Sequence, residues 1–240
     1  LKKMIEKYNF LKIFDLQNSS RTSFYRKYLF KKTIWCSAET TLIKQKQKND
    51  HQDSVLDRFK AQLENFDIKV ENTLKPDLNW ACINVDKIIN KFSGKRFILI
   101  FPFSSPKLKH KQWPHYNKLI NIIKSKHSSF DIFIAPGPKE LEIAESFEGI
   151  IIKNDKRALN ILELAGLIKK SSFVISNDTG PAHMSAHLNK EGIVIFGYHT
   201  TPEKVSIETK NFKPIVTDNL EDLSAELIYS KIKEKLESIY

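Results

Sequence analysis

Phe173–Leu188 reads F-V-I-S-N-D-T-G-P-A-H-M-S-A-H-L. An apolar strand ends at Ser176, a polar turn Asn177-Asp178-Thr179-Gly180 follows, and Pro181 suits the first position of a helix. Gly180 lets the backbone approach a ligand closely. The turn lies at the carboxyl end of a strand, where doubly wound sheets bind ligands. The helix start offers free N–H groups and a positive dipole end, which suits a diphosphate. The same residues also read as an ordinary capped helix, because D-T-G is common turn chemistry. His183 and His187 stand one helical turn apart, within reach of a metal shared with Asp178. No H-E-x-x-H or other recognised ligand set accompanies them, so no metal is expected.

Outward from this stretch, strands and helices alternate. Strands are expected at Phe97–Phe101 (F-I-L-I-F), Asp131–Ala135, Gly149–Ile152, Phe173–Ser176, Gly192–Phe196 and Ile215–Thr217. Helices are expected at Pro114–Lys126, Lys139–Phe147, Leu159–Lys169, Pro181–Leu188 and from Glu221 to the end. A continuous apolar run such as F-I-L-I-F marks a strand buried on both faces. The alternation predicts a parallel, doubly wound sheet, and about six strands suffice for one complete Rossmann-like domain. Toward the other end a helix over residues 1–10, strands at Leu11–Leu16 and Thr33–Cys36, and a helix over Ser19–Leu29 are expected. Lys44–Asp53 is polar and reads as a loop. Leu56, Phe59, Leu63 and Phe66 repeat at helical spacing, and Glu71–Asn79, with Pro76, reads as a linker. Two strands are too few for a sheet with its own core. Either strands are missing upstream or this part packs on something else, and the expected domains are 1–92 and 93–240, the second complete.

Two further strand ends carry chemistry. Phe101–Pro114 (F-P-F-S-S-P-K-L-K-H-K-Q-W-P) puts the hydroxyls of Ser104 and Ser105 beside Lys107, Lys109 and Lys111. Hydroxyls with a lysine at a helix start are what phosphate recognition uses, and a solvated basic loop anchored by Trp113 reads as well. Ala135–Glu142 (A-P-G-P-K-E-L-E) turns sharply after a strand. Glu140 then either faces a ribose diol, as acidic residues do in nucleotide folds, or is a solvated glutamate favoured by the helix dipole.

Composition narrows the classes. A hydrophobic fraction of 41% supports a core and excludes wholesale disorder. Cys36 and Cys82 match no metal spacing, and two distant cysteines point to a reducing cytoplasm. No apolar run approaches the roughly 20 residues that span a bilayer. The net charge of +11 favours anionic partners such as nucleotide diphosphates or phosphorylated lipids, or else marks a lysine-rich solvated surface. Nucleic acid is not expected, since no RNP-like aromatic motif, zinc signature or recognition helix is present. A dehydrogenase is disfavoured because no G-x-G-x-x-G follows any strand.

Together, N-D-T-G-P-A-H followed by a strand and F-G, and K-x-W-P after the Phe97–Phe101 strand, resemble glycosyltransferase family 9, the ADP-heptose:lipopolysaccharide heptosyltransferases. The resemblance covers nearly the whole chain. It implies an α/β, GT-B-like architecture: two Rossmann-like domains with parallel sheets and a cleft between them, the N-terminal one incomplete here, and a final helix returning toward it. It implies a donor site in which Asp178, Thr179, Gly180 and His183 contact diphosphate and sugar, Lys111 neutralises a phosphate, Ser104 and Ser105 assist, and Glu140 holds the ribose. Asp15-Leu16-Gln17-Asn18-Ser19-Ser20-Arg21-Thr22 is similar to the family's D-x-Q-x-x-x-[KR]-[ST] turn, which makes Gln17 and Arg21 candidates for acceptor contact.

The implied reaction is inverting and metal-independent, with no cofactor. An acceptor hydroxyl on an anionic lipopolysaccharide core or similar glycan displaces the nucleoside diphosphate from a nucleotide sugar, ADP-heptose by resemblance. Peripheral contact with the cytoplasmic face of the inner membrane would follow from such an acceptor. Three departures stand out. Tyr198-His199-Thr200-Thr201-Pro202 replaces the usual P-T after Phe196-Gly197. Extra residues sit between Ser105 and Lys111. The family's first strand and glycine-rich loop, with the aspartate that serves as general base, are expected upstream of Leu1. A nucleotide-sugar-binding module without turnover is the alternative reading.

Overall fold

The computed structural model describes residues 3, 7–8, 10–41 and 54–239. The helix expected over 1–10 lies largely outside these residues, and the loop expected at 44–53 wholly outside them. The chain divides into two compact units, residues 1–76 with 204–206, and residues 77–203 with 207–240.

In the first unit, β1 (Lys12–Phe14) pairs in parallel with β2 (Ile34–Cys36), Phe14 opposite Cys36. Between them run α1 (Ser20–Phe24) and one π-helical turn at Tyr25–Leu29. Ser19 and Thr22 form the capping box that starts α1. After β2 come α2 (Ala38–Thr41) and α3 (Val55–Glu64). Leu11, Phe14 and Ile34 remain exposed, as two strands leave little to cover them. The turn after β1 is held from inside. Buried Asp15 accepts from the Asn18 N–H (3.0 Å), and Asn18, in the left-handed region at φ 51°, donates to Gln62 (2.8 Å).

The second unit begins at Asp77, inside the expected linker and ahead of the expected 92/93 division. Residues 77–92 pack on α7 (Ile161–Lys170), which the sequence pattern did not reveal. The Cys82 thiol donates to Ala165 O (3.5 Å), Lys169 to Asn79 (2.9 Å), and Lys170 pairs with Asp86 (2.9 Å) in α4 (Asp86–Ile89). The approach at Gly166 is so close that a Cβ would lie 2.1 Å from Ile83 O.

Six strands form one parallel sheet: β3 (Arg96–Phe101), β4 (Phe130–Ile134), β5 (Ile150–Ile151), β6 (Phe173–Asn177), β7 (Gly192–Phe196) and β8 (Phe212–Val216), in the order β5-β4-β3-β6-β7-β8. The direction of winding reverses between β3 and β6, where such sheets open a crevice at their carboxyl ends. One face is covered by α5 (Tyr116–Lys126) and α9 (Ala225–Ser238), the final helix. Leu119, Ile120 and Ile123 are fully buried there, each contributing about 1.5–3 kcal/mol. Ile228, Ile232 and Leu236, at four-residue spacing on α9, complete that layer. Beyond β4 and β6 lie α6 (Leu141–Ala144) and α8 (Gly180–His187).

The start of α7 is fixed by charge. Asn160 caps it, and the Glu163 carboxylate returns to the Asn160 N–H (2.8 Å) while gripping Arg157 at 2.7 and 2.8 Å. The Arg157 hydrogen bonds, ahead of the Asn160 N–H and Asn154, hold the Glu163 carboxyl down at about 2 despite its burial. Arg157 is half-exposed, so screening limits the arrangement to about 1–2 kcal/mol. A carboxyl lowered in the folded state stabilises above its unfolded value and loses this as pH falls through the folded one. Glu163→Gln should therefore unfold at lower urea than the wild type at pH 7. The gap should narrow below about pH 4.5 and close near pH 2. A gap independent of pH would mean that packing, not charge, is lost.

Candidate functional site

Three strand ends converge where β3, β4 and β6 finish, and one buried amide ties two of them. Asn177, the last residue of β6, is inaccessible to solvent. Its Oδ1 accepts from the Trp113 N–H (3.1 Å) and the Tyr116 hydroxyl (3.0 Å), and its Nδ2 donates to Pro102 O (2.8 Å) and Phe103 O (3.5 Å). The Trp113 indole N–H donates to Leu223 O (2.7 Å), so the K-Q-W-P segment is anchored at both its backbone and its ring. This fixes the turn Pro106–Lys111 and, with it, the start of the Lys111 side chain.

A cleft of about 380 Å³ opens at these ends. Ser104, Ser105, Glu140, Thr179 and Gly180 line it, together with apolar Phe101, Phe103, Leu159, Ile161 and Leu164. Mostly apolar walls with a few convergent polar groups are what a small-molecule site requires. A Cβ at Gly180 would meet nothing within 4 Å, so its backbone faces open space. Thr179 precedes α8 in extended conformation, and no side chain among the described residues caps that helix. Pro181 has no N–H and those of Ala182 and His183 bond back to Thr179 O (3.0 and 3.3 Å), which leaves the Gly180 N–H for another acceptor. Ser104 turns its hydroxyl inward to Leu108 O (2.8 Å), and Glu140 closes its own turn by accepting the Gly137 N–H (2.7 Å).

Lys111, Asp178 and His183 do not line that cleft. They form an ionic cluster centred on buried Asp178, the residue before Thr179. Lys111 Nζ reaches Asp178 Oδ2 at 2.7 Å, and His199 Nε2 reaches the same oxygen at 3.1 Å. His183 Nε2 stands 3.6 Å from Oδ1, too far for a hydrogen bond but close enough to act electrostatically. Burial opposes ionisation of Asp178. The neighbouring His183, the bonds from Lys111 and His199, and the Lys111 charge outweigh it and hold the carboxyl far below its ordinary range. His110 stacks on the exposed Tyr198 ring (5.9 Å) and lies edge-on to His199 (5.6 Å).

The structure thus brings eight of the expected residues to one end of one sheet, five in the cleft and three in the adjoining cluster. Gln17 and Arg21 lie in the first unit, both exposed, on the turn after β1 and on α1. Asn177 and His199 were not singled out from sequence. A polar residue ending an apolar strand was the signal for the first, and the unusual Y-H-T-T-P for the second. Among the described residues, no group of three or more His, Cys, Asp or Glu is placed to hold a metal ion. Nor is any described helix long and apolar enough to cross a membrane.

Comparison with known proteins gives concordant findings. The family model described as glycosyltransferase family 9 (heptosyltransferase) matches residues 1–228. The lipopolysaccharide core heptosyltransferase OpsX of Haemophilus influenzae is 31% identical over 111 residues, which span 45% of this chain and 32% of that protein. E. coli heptosyltransferase WaaC, solved with ADP, superposes with a TM-score of 0.64 at 18% identity, over 94% of this chain and 72% of that one. Its structure with ADP-2-deoxy-2-fluoro heptose gives 0.62 at 17% identity over the same shares. At these identities the structural likeness establishes the α/β fold with parallel sheets shared with those heptosyltransferases.

Proposed function

The chain belongs to glycosyltransferase family 9, the heptosyltransferase family, and from that premise we propose that it transfers a heptose from ADP-heptose to a lipopolysaccharide core acceptor, inverting the anomeric centre without a metal ion. The observation that carries this reading is the uncapped start of α8 opening on the cleft, with Lys111 held one residue away on Asp178. The Gly180 N–H, the positive end of the helix dipole and a lysine are suited to the charge that a leaving nucleoside diphosphate gains in the transition state. Thr179 and Gly180 would meet the diphosphate, with Ser104 and Ser105 assisting, and Glu140 would meet the ribose at the Pro136–Gly137–Pro138 turn. Asp178 and His183 would face the sugar. Residues 93–240 then serve the donor. Gln17 and Arg21, in the N-terminal part, serve the anionic acceptor. WaaC was solved with ADP and with a fluorinated ADP-heptose, which favours adenine and heptose over other donors. Work on a lipopolysaccharide core would place the protein in a bacterial cytoplasm, at the inner membrane surface.

The test is ADP release from ADP-heptose with a heptose-accepting core oligosaccharide, in the presence and absence of EDTA. The expected result is acceptor-dependent release that EDTA leaves unchanged, with an inverted linkage in the product. Loss of turnover with EDTA would overturn the metal-independent mechanism. Binding of ADP-heptose without release would favour a nucleotide-sugar-binding module.

A further inference from the structure

We propose that binding of a nucleoside diphosphate at the turn before α8 is coupled to uptake of one proton by His199, which replaces Lys111 as the cation paired with Asp178. The inference rests on the donor reading above, in which a phosphate draws Lys111 to itself.

In the ligand-free protein Lys111 and His199 converge on one oxygen of Asp178, at 2.7 and 3.1 Å. A carboxylate accepts only, so His199 presents Nε2–H to it. The other ring nitrogen, Nδ1, is buried and has no hydrogen-bond partner among the described residues. It lies beside Gly197, where a Cβ would come within 3.6 Å. The His199 side chain is only 6% exposed. The charged and titratable groups facing the ring are Asp178, Lys111 and His110, with His183 on the far oxygen of Asp178. Burial, then the Lys111 and His110 charges, outweigh the attraction of Asp178 and hold the imidazole below its ordinary value. The free protein therefore carries neutral His199 at pH 7, and Lys111 is the cation in contact with the Asp178 oxygen that His199 shares.

A bound diphosphate reverses this balance. Lys111 cannot give the same short contact to a phosphate and to Asp178 at once without sharing its charge. A buried carboxylate deprived of its cation is strongly disfavoured. The ligand also brings further negative charge. Both changes favour the charged form of His199. Nδ1, now bearing no proton, is the atom that receives it from solvent. Lys111 and His199 thereby alternate on Asp178, and the carboxylate stays paired throughout.

The measurement is calorimetry of ADP binding in buffers of different ionisation enthalpy near pH 7.5, on the wild type and on His199→Gln. The glutamine keeps an N–H donor for Asp178 but has no titrating nitrogen. Proton exchange by ADP itself is common to both proteins, so the difference belongs to the histidine. The expected result is at least about half a proton more taken up per ADP by the wild type. Its affinity should also fall more steeply with pH above neutrality, by up to roughly tenfold per pH unit. Equal proton counts in the two proteins, with ADP still bound, would overturn the coupling and leave the donor site standing. Absence of ADP binding to the wild type would overturn both. Should His199→Gln fail to fold, the ring nitrogen NMR signals of the wild type decide. A neutral ring in free protein and a doubly protonated ring with ADP are expected, and a neutral ring in both contradicts the proposal.

Discussion

Asn177→Ala should lower stability by about 3–5 kcal/mol, read from the urea midpoint at unchanged slope. The side chain is inaccessible and makes four hydrogen bonds. Truncation leaves the Trp113 N–H, the Tyr116 hydroxyl and the carbonyls of Pro102 and Phe103 without it. Each such buried group costs about 1–3 kcal/mol when unpaired, and the 3.5 Å contact to Phe103 least. Tyr116 is so deeply buried that its hydroxyl is pushed far above its ordinary value, so ionisation offers no escape. Asn177→Asp should fare little better. A carboxylate still accepts from Trp113 and Tyr116, but it presents an oxygen to the Pro102 carbonyl. A loss below about 1 kcal/mol for the alanine variant would mean that water replaces the amide and that the strand ends hold without it.

The second large effect concerns the lysine. Lys111→Ala should weaken ADP binding by about 1.5–3 kcal/mol, roughly tenfold to hundredfold. Two causes act together: a charge-assisted contact to phosphate is lost, and the Asp178 carboxylate is left facing the ligand without its nearest cation. The double variant Lys111→Ala/Asp178→Asn should therefore bind ADP better than the single one. Neighbouring charges are where additivity fails, and the difference measures their coupling.

Much of the second unit was legible because strands buried on both faces appear as plain apolar runs. R-F-I-L-I-F and G-I-V-I-F need no partner to be recognised. The edges were harder. Strand β8 begins at Phe212, three residues before the expected start, because Lys213 and Pro214 interrupt its apolar character. An edge strand tolerates such a proline. The helix expected over Lys139–Phe147 shrinks to Leu141–Ala144, since Glu140 spends its carboxylate on closing the preceding turn. The packing of residues 77–92 on α7 was illegible, because it depends on a missing side chain at Gly166 meeting a distant backbone carbonyl.

The candidate site divides in the same way. Strand-end loops announce themselves locally, so Ser104, Ser105, Glu140, Thr179 and Gly180 could be named one by one. Which of them face a common space is a consequence of strand order, and Lys111 and Asp178 meet because β3 and β6 are neighbours in register. The family resemblance set Lys111 against a phosphate and Asp178 among the contacts to diphosphate and sugar, and showed no link between the two residues. Their ion pair adds a step to the donor reading, since Lys111 must be shared or surrendered when a ligand arrives. His199 enters through a loop that departs from the family pattern and owes its place to burial beside Gly197 and Phe196.

Calorimetry of ADP against wild type and Lys111→Ala, with urea unfolding to show that both are equally folded, tests the donor site most directly. ADP should bind the wild type, and the variant should lose at least about tenfold in affinity. Equal affinity in two folded proteins would make Lys111 only the partner of Asp178, and the assignment of the diphosphate to this strand end would be wrong.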